Sequence, residues 1–174
     1  MCAVLAVTLG AHVSPANAAD QTVRLRATFE KQPATASFDV PADWTAVPRT
    51  GGVTLTAPSS QAGCRHVLSA DLDALYVSPT TNAESWVRSR LVGAGPTIAQ
   101  SPPGELFWAV AARPAAPRSA GTAARLTGKG RYGPIATEVR FTTALSGDCA
   151  AGQGLRAAKR LARVLPSLTL TTAR

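Results

Sequence analysis

The feature that most constrains the fold is a repeated alternation of apolar and polar residues. In the first such run Val23, Leu25, Ala27 and Phe29 alternate with two arginines and a threonine. A period of two places every second side chain on one face of an extended strand, so this run predicts a half-buried β-strand. Further strands are predicted over 37–40, 53–56, 64–75, 106–112, 124–130 and 135–145. This patterning excludes a coiled coil, a collagen and a polytopic membrane protein.

Two segments carry helical periodicity instead. Residues 82–92 follow a capping-box pattern, with the Thr81 hydroxyl at the N-cap and the Glu84 carboxylate three positions later. Residues 155–165 form the second predicted helix, which ends at Pro166. The order of strands, helix, strands and helix predicts a single-domain α+β fold, in which an antiparallel β-sheet is flanked by helices.

Two segments are predicted to be turns or loops. Residues 113–121 carry two prolines and no periodicity, so they are predicted to form a loop. The run Gly128-Lys129-Gly130-Arg131-Tyr132-Gly133 matches G-x-G-x-x-G, the pattern of a dinucleotide-binding loop. Such a loop leads into a helix whose N-terminus holds the pyrophosphate, whereas an alternating strand follows here. We therefore interpret these glycines as a hairpin turn.

The N-terminal segment has the features of an export signal. Residues 2–13 are almost wholly apolar but too few to span a bilayer, and Ala16-x-Ala18 has the small-residue pattern of a cleavage site. We predict a signal peptide over 1–18 and a single secreted domain over 19–174, with no transmembrane segment in the mature chain. No Lys or Arg precedes Arg24, so either the true start lies upstream or the signal is weak. A buried N-terminal strand or helix is the alternative interpretation.

Export changes the meaning of the cysteines. Cleavage after residue 18 leaves Cys64 and Cys149, and a pair in an oxidising compartment is a disulfide by default. In the chain-entropy model, closing that loop stabilises the fold by about 4–5 kcal/mol. A metal pair and a catalytic thiol are the alternatives, and neither has neighbouring ligands or a CxxC motif in the sequence.

The charge pattern points to an anionic partner. The chain has 18 Lys and Arg against 10 Asp and Glu, a formal net charge of +8, and removal of 1–18 takes away no charge. In the second predicted helix, basic residues at i, i+3, i+4 and i+7 form one stripe, opposite an apolar side: Arg156, Lys159, Arg160 and Arg163. Like charges at this spacing oppose helix formation slightly, so folding does not require them. The stripe is either a solvated face or a docking surface for an anion.

Other candidate residues favour chemistry less strongly. His66 lies two positions from Cys64 and could act as a base in a hydrolase, with Asp71 among its potential partners. Asp71 and Asp73 share a strand face but lack a third metal ligand, so we predict no metal and no cofactor. Arg90 falls within the apolar arc of the first helix. It either extends its head to solvent or pairs with a buried acid, a pairing that could mark a ligand cleft.

Three motifs resemble the PsbP-like superfamily, with a similarity that covers roughly residues 38–170: Phe38-Asp39-Val40-Pro41-x-x-Trp44, Gly52-Val53-x-Leu55-x-x-Pro58 and Leu165-Pro166-Ser167-Leu168. The resemblance implies an antiparallel sheet flanked by helices. It also implies an assembly or binding role, and it carries over no catalytic residues.

The sequence therefore predicts a non-catalytic exported binding or accessory protein of the cell envelope or exterior. The first alternative is an electrostatic binder of an anionic envelope polymer or of lipid headgroups through the basic C-terminal helix. The second is a hydrolase with a site assembled around His66. Nucleic acid is disfavoured as a partner, because aromatic residues make up only 5% of the chain and export removes the usual opportunity. An envelope protein is a further possible partner.

Overall fold

The structure is a computed structural model that describes residues 20–58, 61–112 and 118–172. The predicted signal peptide and residues 113–117 of the predicted loop lie outside them. The strands are β1 (Gln21–Phe29), β2 (Gln32–Val40), β3 (Thr45–Arg49), β4 (Gly52–Ala57), β5 (Cys64–Tyr76), β6 (Thr97–Gln100), β7 (Leu106–Ala112), β8 (Arg118–Gly130), β9 (Gly133–Gly147) and β10 (Thr169–Thr172). The helices are α1 (Ala83–Arg90) and α2 (Gln153–Val164), and a 3₁₀ turn at Leu165–Ser167 leads into β10.

The described strands form two antiparallel sheets. One has three strands in the order β1-β2-β10, and the other has seven in the order β3-β4-β5-β9-β8-β7-β6. The predicted fold, one antiparallel sheet flanked by helices as in the PsbP-like superfamily, is therefore wrong. A two-residue period predicts that a segment is a strand but not which strand it pairs with, so the second sheet could not be separated from the first.

The main core lies between the two sheets and under α2. Phe38 of the small sheet packs edge-to-face on Phe141 of the large sheet, with ring centroids 5.4 Å apart. Val23 and Leu25 of β1 and Leu161 of α2 are also fully buried in this cluster. The small sheet and α2 therefore share one face of the large sheet, and this arrangement fixes the orientation of α2.

Helix α1 covers part of the opposite face. Its Val87 packs against Phe107 and two alanines of β7. Asn82 is the N-cap, with its Oδ1 accepting from the Ser85 backbone N at 2.7 Å, so the predicted pair of Thr81 and Glu84 is wrong. Glu84 pairs instead with Arg88 one turn later. The prediction failed because Asn and Ser can form the same reciprocal pair of bonds as Thr and Glu, and here they do so one residue later, at the backbone N–H groups of Asn82 and Ser85.

Several strands are longer or more numerous than predicted. β2 includes the stretch around Pro33, β8 begins at Arg118 inside the predicted loop, and the unpredicted β10 begins directly after Leu168 and contains Leu170.

The predicted hairpin turn between β8 and β9 is confirmed, with Gly130 paired to Gly133. A Cβ atom at position 130 would come within 3.0 Å of the side chains of Ile135, Tyr76 and Glu30. Close packing therefore explains why glycine occupies this position.

Candidate anion-binding site on helix α2

Helix α2 is amphipathic, as its spacing predicts. Its buried residues recur every three or four positions and face the main core: Gln153, Ala157, Ala158, Leu161 and Val164. The helix begins directly after Gly152, whose left-handed backbone lets the chain turn into the helix. Because the apolar side is fixed against the sheet, the basic side is held outward.

We call the outward residues Arg156, Lys159, Arg160 and Arg163 the basic face. Arg156, Lys159 and Arg163 are exposed, and Arg160 is half-buried with its Nη1 donating to the Pro58 carbonyl. Within the described part of the chain, none of the four forms an ion pair. Five arginines elsewhere do pair with carboxylates: Arg49, Arg88, Arg90, Arg125 and Arg140. The cations of the basic face therefore have no directly paired carboxylate among the described residues.

One end of the basic face opens into a surface cleft of about 320 Å³. Arg160 and Arg163 line one part of it, and three carboxylates that the sequence did not single out also line it: Asp20, Asp39 and Asp43. They come from β2 and from segments flanking β1 and β2, so no spacing along the chain could have grouped them. Trp44 also lines the cleft.

The disulfide between Cys64 and Cys149 is present. The two Cα atoms are 4.8 Å apart, within the range that a disulfide requires. The bond ties the start of β5 to the segment just before α2, so it anchors the helix that carries the basic face. It also removes Cys64 as a nucleophile for the hydrolase alternative.

His66 lies beneath α2 rather than in an open site. Its side chain is 4% exposed, and its Nε2 lies 2.9 Å from Gln153 Oε1 of α2. Its Nδ1 is buried with no hydrogen-bond partner among the described residues. Burial lowers the pKa of His66, the hydrogen bond to Gln153 opposes this shift, and the positive charges of Arg160 and Arg156 lower the pKa further.

The structure does not bring His66 and Asp71 together. They lie on opposite faces of β5, since an odd number of positions separates them along an extended strand. Asp71 pairs with Arg49 at 2.6 Å, so it is not available as an orienting group for the histidine. The cavity beside His66 has a volume of only about 10 Å³, room for about one water molecule and not for a substrate.

Two further candidates act in structural ion pairs. Asp73 lies 3.5 Å from Arg140, and Asp71 pairs with Arg49, so each of the two aspartates on β5 has a guanidinium partner. Among the described residues, no group of three or more potential ligands could hold a metal ion. Arg90 pairs with the fully buried Glu138 at 3.1 Å and lies over the Trp86 ring, which confirms the acidic partner.

Comparisons with known proteins assign no family. No protein-family model and no curated protein matches the sequence. A crystal structure of a protein from Bacteroides thetaiotaomicron VPI-5482 aligns with a TM-score of 0.35 and 17% identity, over 77% of this chain and 44% of that chain. Nothing in these comparisons links the chain to the PsbP-like superfamily. No helix among the described residues has both the length and the apolar character needed to cross a membrane.

Proposed function

We propose that this chain is an exported, non-catalytic binding protein that holds an anionic polymer of the cell envelope on the basic face of α2. The observation that carries the proposal is that four cations without an ion pair among the described residues lie together on one face of a single helix. Four cations on one helix supply an attraction that is summed over the repeating charges of a polymer.

The spacing of the basic face suits a repeating anion. Residues 156 to 163 cover two helical turns, a row roughly 10 Å long at about 1.5 Å per residue. Successive phosphates or carboxylates of a polymer can follow such a row, with each side chain adjusting its position. A compact ligand would contact only part of it. This geometry favours a polymer over a small free anion.

The disulfide supports the exported location. Cysteine pairs of this kind persist in oxidising compartments and are rare in the cytosol. Together with the apolar segment and the Ala16-x-Ala18 pattern, it supports placing the protein outside the cytoplasm, where anionic envelope polymers are available. The proposal assigns α2 the binding role and the disulfide the task of holding α2 on the sheet.

Binding to linear polyphosphate tests the proposal. Each cation beside an anionic surface contributes about 1 kcal/mol, so changing all four to Gln is expected to weaken binding roughly 100- to 1,000-fold at low salt. Gln is a good helix former and the apolar side is unchanged, so the fold is expected to remain. Binding of the wild type is expected to weaken when the ionic strength is raised from about 0.01 M to about 1 M, because the Debye length then falls from about 30 Å to about 3 Å.

A matched control separates position from net charge. Changing four exposed cations outside α2 to Gln lowers the charge by the same amount: Arg24, Arg26, Lys31 and Arg65. This control is expected to bind within a few-fold of the wild type. Equal losses in the two variants, or binding that ignores salt, would show that the basic face is only a solvated surface.

A further inference from the structure

Charged side chains of opposite sign line the cleft beside α2. Arg160 and Arg163 line it from α2, Asp39 lines it from β2, and Asp20 and Asp43 line it from segments just outside β1 and β2. Among the described residues, no ion pair within 4 Å joins any of these five groups to another. Opposite charges that share a cleft without pairing leave the space between them for a group that contacts both.

Local hydrogen bonds hold several of these groups in position. The Pro58 carbonyl accepts from Arg160, and the Asp39 carboxylate accepts from Thr22 Oγ1 at 2.7 Å. The Asp39 backbone N also donates to Ser167 Oγ at 2.8 Å, which ties β2 to the turn after α2. These contacts set the walls before any ligand arrives, and this reduces the ordering cost of binding.

The carboxylates disfavour a plain polyanion at this end of the basic face. A phosphate between the two arginines would also lie near Asp39 and Asp43, whose negative charges repel it. A ligand that carries an ammonium group beside its anion removes this conflict, because the ammonium faces the aspartates while the anion faces the arginines. A volume of about 320 Å³ is within the range of small-ligand sites.

We propose that this cleft binds a phosphate or carboxylate that has a primary ammonium group a few bonds away. The inference rests on the proposed function, since Arg160 and Arg163 belong to both sites. It refines the ligand class from a uniform polyanion to one that carries amine substituents beside its anionic groups. The aspartates thereby give specificity, and the arginines give attraction.

Phosphoethanolamine is the probe that tests the cleft. Dissociation constants are measured by NMR titration of the mature protein. Phosphoethanolamine is expected to bind at least tenfold more tightly than inorganic phosphate or ethanolamine. Changing Asp39 and Asp43 to Asn is expected to remove most of this preference. The same variant is expected to bind polyphosphate as well as the wild type or better, because two repulsive charges are lost.

The control changes two acids outside the cleft, Asp73 and Asp148, to Asn, and is expected to keep the phosphoethanolamine preference. Phosphatidylcholine vesicles with and without phosphatidylethanolamine show whether the ligand is part of a lipid. Binding only to the vesicles that contain phosphatidylethanolamine assigns a lipid headgroup. Binding of free phosphoethanolamine but of neither kind of vesicle assigns a soluble or polymer-borne group. Equal binding of phosphate and phosphoethanolamine, or a preference unchanged in the Asp39 and Asp43 variant, would overturn the inference. Polyphosphate binding through the basic face would still support the proposed function in that case.

Discussion

His66 is the residue whose charge state most directly affects how α2 is held. In the neutral ring Nε2 donates to Gln153 Oε1, and Nδ1 is a buried acceptor. Protonation would convert Nδ1 into a buried donor without an acceptor among the described residues, close to Arg156 and Arg160. The folded protein therefore favours the neutral ring, and acidification acts against the contact beneath α2.

The lowered pKa of His66 predicts a loss of stability in acid. A histidine whose pKa is lower in the folded state contributes fully above its unfolded value of about 6.5, and the contribution is lost as the pH falls toward the folded value. The free energy of unfolding, measured by urea denaturation, is therefore expected to fall from pH 7 to pH 5 more steeply in the wild type than in a His66→Gln variant. The two proteins have the same carboxylates, so any difference between their pH dependences comes from residue 66. Equal slopes of the free energy of unfolding against pH would therefore contradict this role of His66.

At the scale of elements, α2 was predictable and the cleft beside it was not. The 3.6-residue period of α2 is local, so the sequence alone predicted all four residues of the basic face and a helix over 155–165, close to the observed Gln153–Val164. The cleft combines α2 with β2 and with segments flanking β1 and β2, whose contacts depend on the pairing of β10 with β2. Such long-range pairing leaves no periodic signal in four residues of strand.

The disulfide covalently joins the start of β5 to the segment before α2. Changing Cys64 and Cys149 to Ala opens a loop of 85 residues and is expected to lower the free energy of unfolding by about 4–5 kcal/mol. Urea denaturation of the variant, beside the wild type with and without a reductant, measures this loss. A difference under about 1 kcal/mol would mean that packing alone holds α2 in place.

At the scale of the whole molecule, two layers of different kinds cover one face of the large sheet. The small sheet presents hydroxyl groups and the side chains of Arg24 and Arg26 outward, and these two arginines form no ion pair within the described part of the chain. α2 presents the basic face beside it. A net charge of +8 would attract an anion to many places if charge alone decided binding. The account requires instead that the basic face, held by the disulfide and the core, forms the site.

An NMR titration of the protein with linear polyphosphate tests this requirement most directly. We expect the largest chemical-shift changes at Arg156, Lys159, Arg160 and Arg163, while Arg24 and Arg26 on the outer face of the small sheet change little. Binding spread evenly over all exposed cations, or centred on β1, would contradict the assignment of α2 as the binding surface.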